Sequence, residues 1–111
     1  MSVSTHVLDT MRGMPAAGLE VWLDRRRPDG DWKEVGGGAT DSDGRIRGMT
    51  DEELAAGDYR LRFDTRPYFQ RSGINAFYPE VTIVFTVEDA TAHVHVPLLL
   101  SPFGYTTYRG T

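Results

Sequence analysis

Apolar and polar residues alternate with a period of two through most of this chain, and that pattern admits little besides a β-sheet protein. Leu19, Val21 and Leu23 alternate with Glu20, Trp22 and Asp24, and Tyr59, Leu61 and Phe63 with Arg60, Arg62 and Asp64. Val81, Ile83, Phe85 and Val87 repeat the pattern, as do Val94, Val96, Leu98 and Leu100. Successive side chains of a strand point to opposite faces, so this alternation marks strands with one face buried and one wet. Turn chemistry separates the runs at Pro28-Asp29-Gly30, Gly36-Gly37-Gly38, Asp43-Gly44 and Pro102-Phe103-Gly104. Short strands divided by such turns predict an all-β sandwich or small barrel.

One segment departs from the period. Thr50-Asp51-Glu52-Glu53 reads as a capping box, with Leu54-Ala55-Ala56 continuing a helix and Gly57 stopping it. The pattern predicts a helix of about two turns there, too short to stand without packing on the sandwich. Residues 64–80 read as the longest irregular stretch.

The chain has 111 residues, which fits one domain over 1–111. It has no Cys, which excludes a disulfide framework, a thiolate zinc site and a Cys nucleophile. A net charge of −4 argues against a nucleic-acid partner, whose phosphates demand a basic face. No apolar run approaches the roughly 20 residues of a membrane span, and Met1-Ser2-Val3-Ser4-Thr5-His6 lacks the features of a signal peptide. A cytoplasmic protein with no membrane partner is the expectation.

There are three His residues. His93 and His95 lie two apart on a predicted strand and so share the face opposite Val94 and Val96. That pair suits a solvated strand face, a His-x-His metal site completed by His6, or acid–base chemistry near neutral pH. Asp41-Ser42-Asp43-Gly44 lacks the downstream acidic ligand of a calcium loop and reads as a tight turn leading into Arg45. No nucleophile elbow, Walker loop or dinucleotide fingerprint is present. The C-terminus, Ser101 to Thr111, carries aromatics and an Arg where chain ends are usually polar and frayed, which predicts an end docked on a sheet.

Several segments together resemble the 5-hydroxyisourate hydrolases, the transthyretin-related enzymes of purine breakdown. Ser4-Thr5-His6-Val7-Leu8-Asp9 is similar to the family's N-terminal motif, Gly13-Met14-Pro15-Ala16 to the turn after it, and Thr40 through Arg45 to its central motif. Phe77-Tyr78-Pro79-Glu80-Val81 matches a late-strand motif. His95-Val96-Pro97-Leu98-Leu99-Leu100-Ser101-Pro102 leads to a terminal Tyr108-Arg109-Gly110-Thr111.

The resemblance implies a sandwich of two four-stranded sheets with one short helix. It implies a homotetramer built as a dimer of dimers, with sites from two subunits in the channel between dimers. The implied reaction opens the six-membered ring of 5-hydroxyisourate, giving 2-oxo-4-hydroxy-4-carboxy-5-ureidoimidazoline in urate degradation, with no cofactor and no metal. By motif position the catalytic residues are His6, Arg45, His95 and Thr111, and the substrate-binding residues are His6, Arg45, Tyr108 and Arg109. Thr111 stands where the family usually has Ser and keeps the hydroxyl.

On this reading His6 and His95, with Thr111, position and activate water, and Arg45 holds the substrate's oxygens through its planar fork. Tyr108 is a wall rather than an acid, since a free phenol titrates near ~10. Arg109 either contacts substrate or anchors the terminus by an ion pair, and backbone N–H groups near Gly110 serve as oxyanion donors. Two other readings stand beside it: a transthyretin-like carrier of small ligands without catalysis, and a zinc-dependent hydrolase using His6, His93 and His95.

Overall fold

The computed structural model describes residues 1–111. Nine strands and one helix follow in the order β1 (Ser2–Asp9), β2 (Met14–Pro15), β3 (Glu20–Arg26), β4 (Trp32–Ala39), β5 (Arg45–Ile46), β6 (Gly57–Phe63), α1 (Thr65–Gln70), β7 (Val81–Val87), β8 (His93–Ser101) and β9 (Gly104–Thr107). The alternating runs identified in the sequence underlie β3, β6, β7 and β8. Their inward residues, among them Val21, Leu23, Leu61, Phe63, Val96 and Leu98, form one buried core between two sheets.

One sheet has four strands in the order β4-β3-β6-β7. The other has five instead of the expected four, because two short strands share one edge of β1: β2 opposite Leu8 and Asp9, and β5 opposite Thr5 and His6. The rest of that sheet runs β1-β8-β9. The first and last long strands lie side by side and parallel, from Ser2 opposite His93 to Asp9 opposite Leu100. Residues almost a whole chain apart in sequence are thereby brought into register on one surface.

The helix expected over 50–57 does not form. Thr50 Oγ1 accepts the Glu52 N–H at 3.1 Å in a tight turn. The Leu54 carbonyl accepts from the Met1 amino group at 3.0 Å and the Ala55 carbonyl from the Tyr59 hydroxyl at 2.6 Å. A helix over this segment would leave both carbonyls unpartnered in its last turn, whereas here each has a partner, and two turns anchored by Leu54 alone are too short to hold. The helix sits instead at Thr65–Gln70, inside the stretch read as irregular. Thr65, Tyr68 and Phe69 are buried there at helical spacing, and Pro67 falls in the first turn, where a missing N–H costs nothing.

Gly36-Gly37-Gly38, expected to be a turn, lies within β4 and pairs with Leu23, Trp22 and Val21. Glycine is required because other backbone passes close by. A Cβ at Gly36 would stand 2.1 Å from the Met49 carbonyl oxygen, and one at Gly37 would stand 2.4 Å from that of Val21. The Gly37 N–H donates to Met49 O at 2.7 Å, which ties the loop after β5 onto this strand.

Candidate active site

The outer face of the five-stranded sheet carries the residues singled out from the sequence. The inner side of β1 is Val3, Thr5, Val7 and Asp9, all buried. Ser2, Ser4 and His6 therefore point outward, away from the core. On β8, Val94 and Val96 face the core, and His93 and His95 share the outer face as the spacing predicts.

Arg45 reaches this face through the turn before β5. The Asp41 carboxylate Oδ1 accepts the N–H groups of Asp43 and Arg45, both at 2.9 Å, and these bonds hold its pKa below the ordinary carboxylate range. Gly44 takes φ +76°, and a Cβ there would stand 2.4 Å from the Val7 carbonyl oxygen. The Gly44 carbonyl accepts the Val7 N–H at 2.8 Å, so the turn is stitched to β1 and Arg45 pairs directly with His6. The acidic loop is a turn that places Arg45.

His95 is fixed from three sides. Its Nδ1 lies 2.8 Å from Ser4 Oγ, which leaves Nε2 as the ring nitrogen without a protein partner. Its carbonyl accepts the Gly110 N–H at 2.8 Å in an isolated antiparallel bridge that extends the β8–β9 register. Gly110 packs close against the ring: a Cβ there would stand 2.6 Å from His95 Cδ2 and 3.1 Å from Pro97 Cγ. The docked C-terminus is thus one wall of the histidine's seat. Burial first, and then repulsion from His6, Arg45 and His93, pushes the His95 pKa below its ordinary value. His95 is accordingly a neutral base at pH 7.

Arg45, Arg47, His93, His95 and Thr111 line a hollow of about 260 Å³ floored by Ser4 and Thr5. His6 opens onto an adjoining concavity shared with Arg45, Arg47, Pro15 and Asp43. The ion pairs of the molecule lie elsewhere, joining Arg60 and Arg62 to Asp24 and Arg62 to Glu34, so Arg45 and Arg47 make no ion pair beside the two hollows, although the charges of Asp41 and Asp43 lie nearby. An anion with planar carbonyl and amide edges suits such a surface.

Of the site residues expected from the sequence, His6, Arg45, His95 and Thr111 come together here. Tyr108 and Arg109 do not enter the polar hollow. They line a separate groove of about 530 Å³ with residues of β7 and β8, which His95 also borders. Arg109 makes no ion pair, so the terminus is held by the Gly110–His95 bridge and by Thr107 Oγ1 donating to Pro97 O at 2.7 Å. The Gly110 N–H is committed to the His95 carbonyl and is not free to serve an oxyanion. In the zinc reading, one ring nitrogen of His93 would have to give up its serine partner, and the three imidazoles do not gather as a ligand set. Sequence reasoning missed Arg47 and Ser4. Arg47 follows Arg45 at the strand period, and Ser4 becomes visible only once β1 is set parallel to β8.

A family model described as "Transthyretin: HIUase/Transthyretin family" matches residues 3–110. The chain belongs to this family. A mouse relative, named 5-hydroxyisourate hydrolase, is 47% identical over 111 residues, covering 98% of this chain and 94% of its own length. Among solved structures, the 5-hydroxyisourate hydrolase of Klebsiella pneumoniae superposes with a TM-score of 0.88 at 34% identity, with complete coverage (100%) of both chains. Sea bream transthyretin, solved with thyroxine, superposes with a TM-score of 0.92 at 32% identity, covering 99% of this chain and 95% of that one. This family member shares its backbone with a 5-hydroxyisourate hydrolase and with a thyroxine-bound transthyretin alike, so side chains must discriminate between the two.

Proposed function

We propose that this chain is a 5-hydroxyisourate hydrolase of urate degradation that opens the six-membered ring of its substrate by addition of water. The observation that carries the proposal is the seat of His95: a neutral imidazole whose Nε2 has no protein partner, in a hollow shared with Arg45, Arg47 and Thr111. Relatives at 42–47% identity bear that enzyme's name, and the likeness extends over nearly the whole chain.

In this mechanism Arg45 binds the anionic substrate through its planar fork, with Arg47 beside it. His95 Nε2 takes a proton from the attacking water, oriented by the Thr111 hydroxyl. His6, in register with Arg45 across the β1–β5 edge, faces the substrate from the second hollow, donates a proton to the departing ring nitrogen and is reprotonated from solvent. A positioned base of this kind supplies about 10²–10⁴-fold. Tyr108 and Arg109 contribute as walls of the neighbouring groove. No cofactor is required by these steps. The product is 2-oxo-4-hydroxy-4-carboxy-5-ureidoimidazoline.

The working unit is a homotetramer, a dimer of dimers, with the outer faces of the five-stranded sheets lining a shared channel. Two features support this. The hollows are shallow within one chain, and both β7 and β9 present unpaired edges, Val84 and Tyr105 being exposed on them. No helix is long and apolar enough to cross a membrane, and we place the enzyme in the cytoplasm.

The thyroxine-bound likeness supports a carrier as the second reading. Histidines and arginines on the channel face distinguish the two. His95→Asn keeps the ring's polar footprint without its basicity. Assayed on freshly made 5-hydroxyisourate, it is expected to retain the tetramer and lose turnover; full turnover in this variant would remove His95 from the mechanism.

A further inference from the structure

His93 plays no part in the mechanism above, yet both of its ring nitrogens are engaged. Nδ1 lies 2.6 Å from Ser2 Oγ and Nε2 lies 2.9 Å from Ser4 Oγ. The same Ser4 Oγ lies 2.8 Å from His95 Nδ1. The parallel register sets Ser2 opposite His93 and Ser4 opposite His95. Ser-x-Ser on one strand therefore faces His-x-His on the other in a continuous file. The file runs from the half-buried His95 through the buried Ser4 to the exposed His93 and Ser2.

Proton counting constrains this file. Each serine hydroxyl carries one proton, and each neutral imidazole carries one on one nitrogen. A hydroxyl oxygen can accept from both sides, so more than one arrangement satisfies the file. In the one that runs head to tail, His95 Nδ1–H donates to Ser4, the Ser4 hydroxyl donates to His93 Nε2, and His93 Nδ1–H donates to Ser2. All three bonds are made, and His95 Nε2 carries a bare lone pair. The reverse orientation starts from Ser2 and places a proton on His95 Nε2. These two head-to-tail arrangements are the two directions of one wire.

We propose that Ser2, His93 and Ser4 form a proton wire that holds His95 in its Nδ1–H tautomer and carries the proton it gains to solvent. This rests on His95 acting as the base of the proposed hydrolysis. When Nε2 accepts a proton from water, His95 Nδ1–H passes its own to Ser4 Oγ. The Ser4 proton passes to His93 Nε2, the His93 Nδ1 proton to Ser2 Oγ, and one proton leaves Ser2 for bulk water. One proton enters, one leaves, and each hydroxyl and ring ends neutral. Ser4 and His93 are positioning residues that act through His95. The charged and titratable groups around the file are Arg45, Arg47 and His6 at the His95 end, with Asp43 in the adjoining concavity, and Asp51, Glu52, Glu53 and the Met1 amino group beside Ser2 at the exposed end.

The test combines kinetics with nitrogen NMR on the full-length protein. Ser4→Ala and His93→Asn are each expected to lower kcat about 10- to 100-fold with KM within about twofold, a share of what a positioned base supplies. Ser4→Thr, which keeps the hydroxyl, is expected to recover most of the loss. The double variant is expected to be no slower than Ser4→Ala, because both changes cut the same wire. In ¹⁵N spectra, His95 is expected as the Nδ1–H tautomer in the parent and as a mixture in both single variants. Multiplying kinetic losses in the double variant, or a His95 tautomer unchanged by either substitution, would overturn the wire. The spectra need no substrate. A parent protein inactive on 5-hydroxyisourate but with coupled tautomers would sink the proposed hydrolysis alone.

Discussion

Gly110 sits against the His95 imidazole so closely that a single added methyl would stand 2.6 Å from Cδ2. The same pair is joined by the Gly110 N–H bond to the His95 carbonyl at 2.8 Å. The glycine of the terminal motif is therefore a matter of contact, required so that the chain end can cover the ring. Gly110→Ala is expected to lower kcat at least about 10-fold, since sub-ångström displacement of a catalytic ring is costly, while leaving the melting temperature nearly unchanged. Gly104→Ala is the control: its Cβ would meet nothing nearer than Ser101 Oγ at 3.8 Å, and activity should be retained.

The environment of His95 dictates a pH dependence. Burial, followed by the charges of His6, Arg45 and His93, lowers its pKa below the ordinary 6.5. The base is the neutral form, so the acid limb of kcat/KM should fall as the pH drops through a value below 6.5. Removing a nearby positive charge with Arg45→Gln should move the His95 titration upward, read by NMR independently of turnover. A titration at or above 6.5 in the parent would contradict the seat described here.

Tyr68 and Asp9 form a buried pair under the helix. The Asp9 carboxylate accepts the Tyr68 hydroxyl at 2.8 Å and the Arg12 N–H at 3.1 Å. Burial, together with the Asp9 bond and charge, pushes the Tyr68 phenol up to about 12. The unfolded chain releases that proton near ~10, so between those values the unfolded state binds fewer protons and stability falls as pH rises. Tyr68→Phe leaves a carboxylate oxygen unpartnered and should cost about 1–3 kcal/mol in urea unfolding near neutral pH. It should also remove Tyr68's contribution to the alkaline loss of stability.

Gly36→Ala tests the corrected reading of β4. Its Cβ would meet the Met49 carbonyl oxygen at 2.1 Å, which is backbone and cannot swing aside. A loss of roughly 1–3 kcal/mol is expected from such overpacking. Gly48→Ala, where nothing lies within 4 Å of the added atom, should be close to neutral.

The parts of this molecule legible in the sequence are those decided by local chemistry or by compact motifs. Strands with one wet face show in the alternation of residues 19–24 and 93–100. The turn that delivers Arg45 shows in Asp43-Gly44. His6, Arg45, His95 and Thr111 emerged together because each lies in its own short motif. What stayed hidden depends on distant partners. The Thr50-to-Glu53 capping box is a sound local signal on a segment too short to hold a helix, whose Leu54 and Ala55 carbonyls bond Met1 and Tyr59 instead. The glycine run of β4 reads as a turn until Met49 is seen lying on it. Ser4 gains meaning only from a parallel pairing with His95, a partner 91 residues away.

The most direct test of the account is the ultraviolet decay of freshly prepared 5-hydroxyisourate, followed with and without the purified protein and with a metal chelator present. The account predicts decay accelerated far beyond the spontaneous rate and unchanged by chelator. Decay at the buffer rate would contradict it and turn attention to a transthyretin-like carrier; acceleration abolished by chelator would contradict the metal-free water activation assigned to His95.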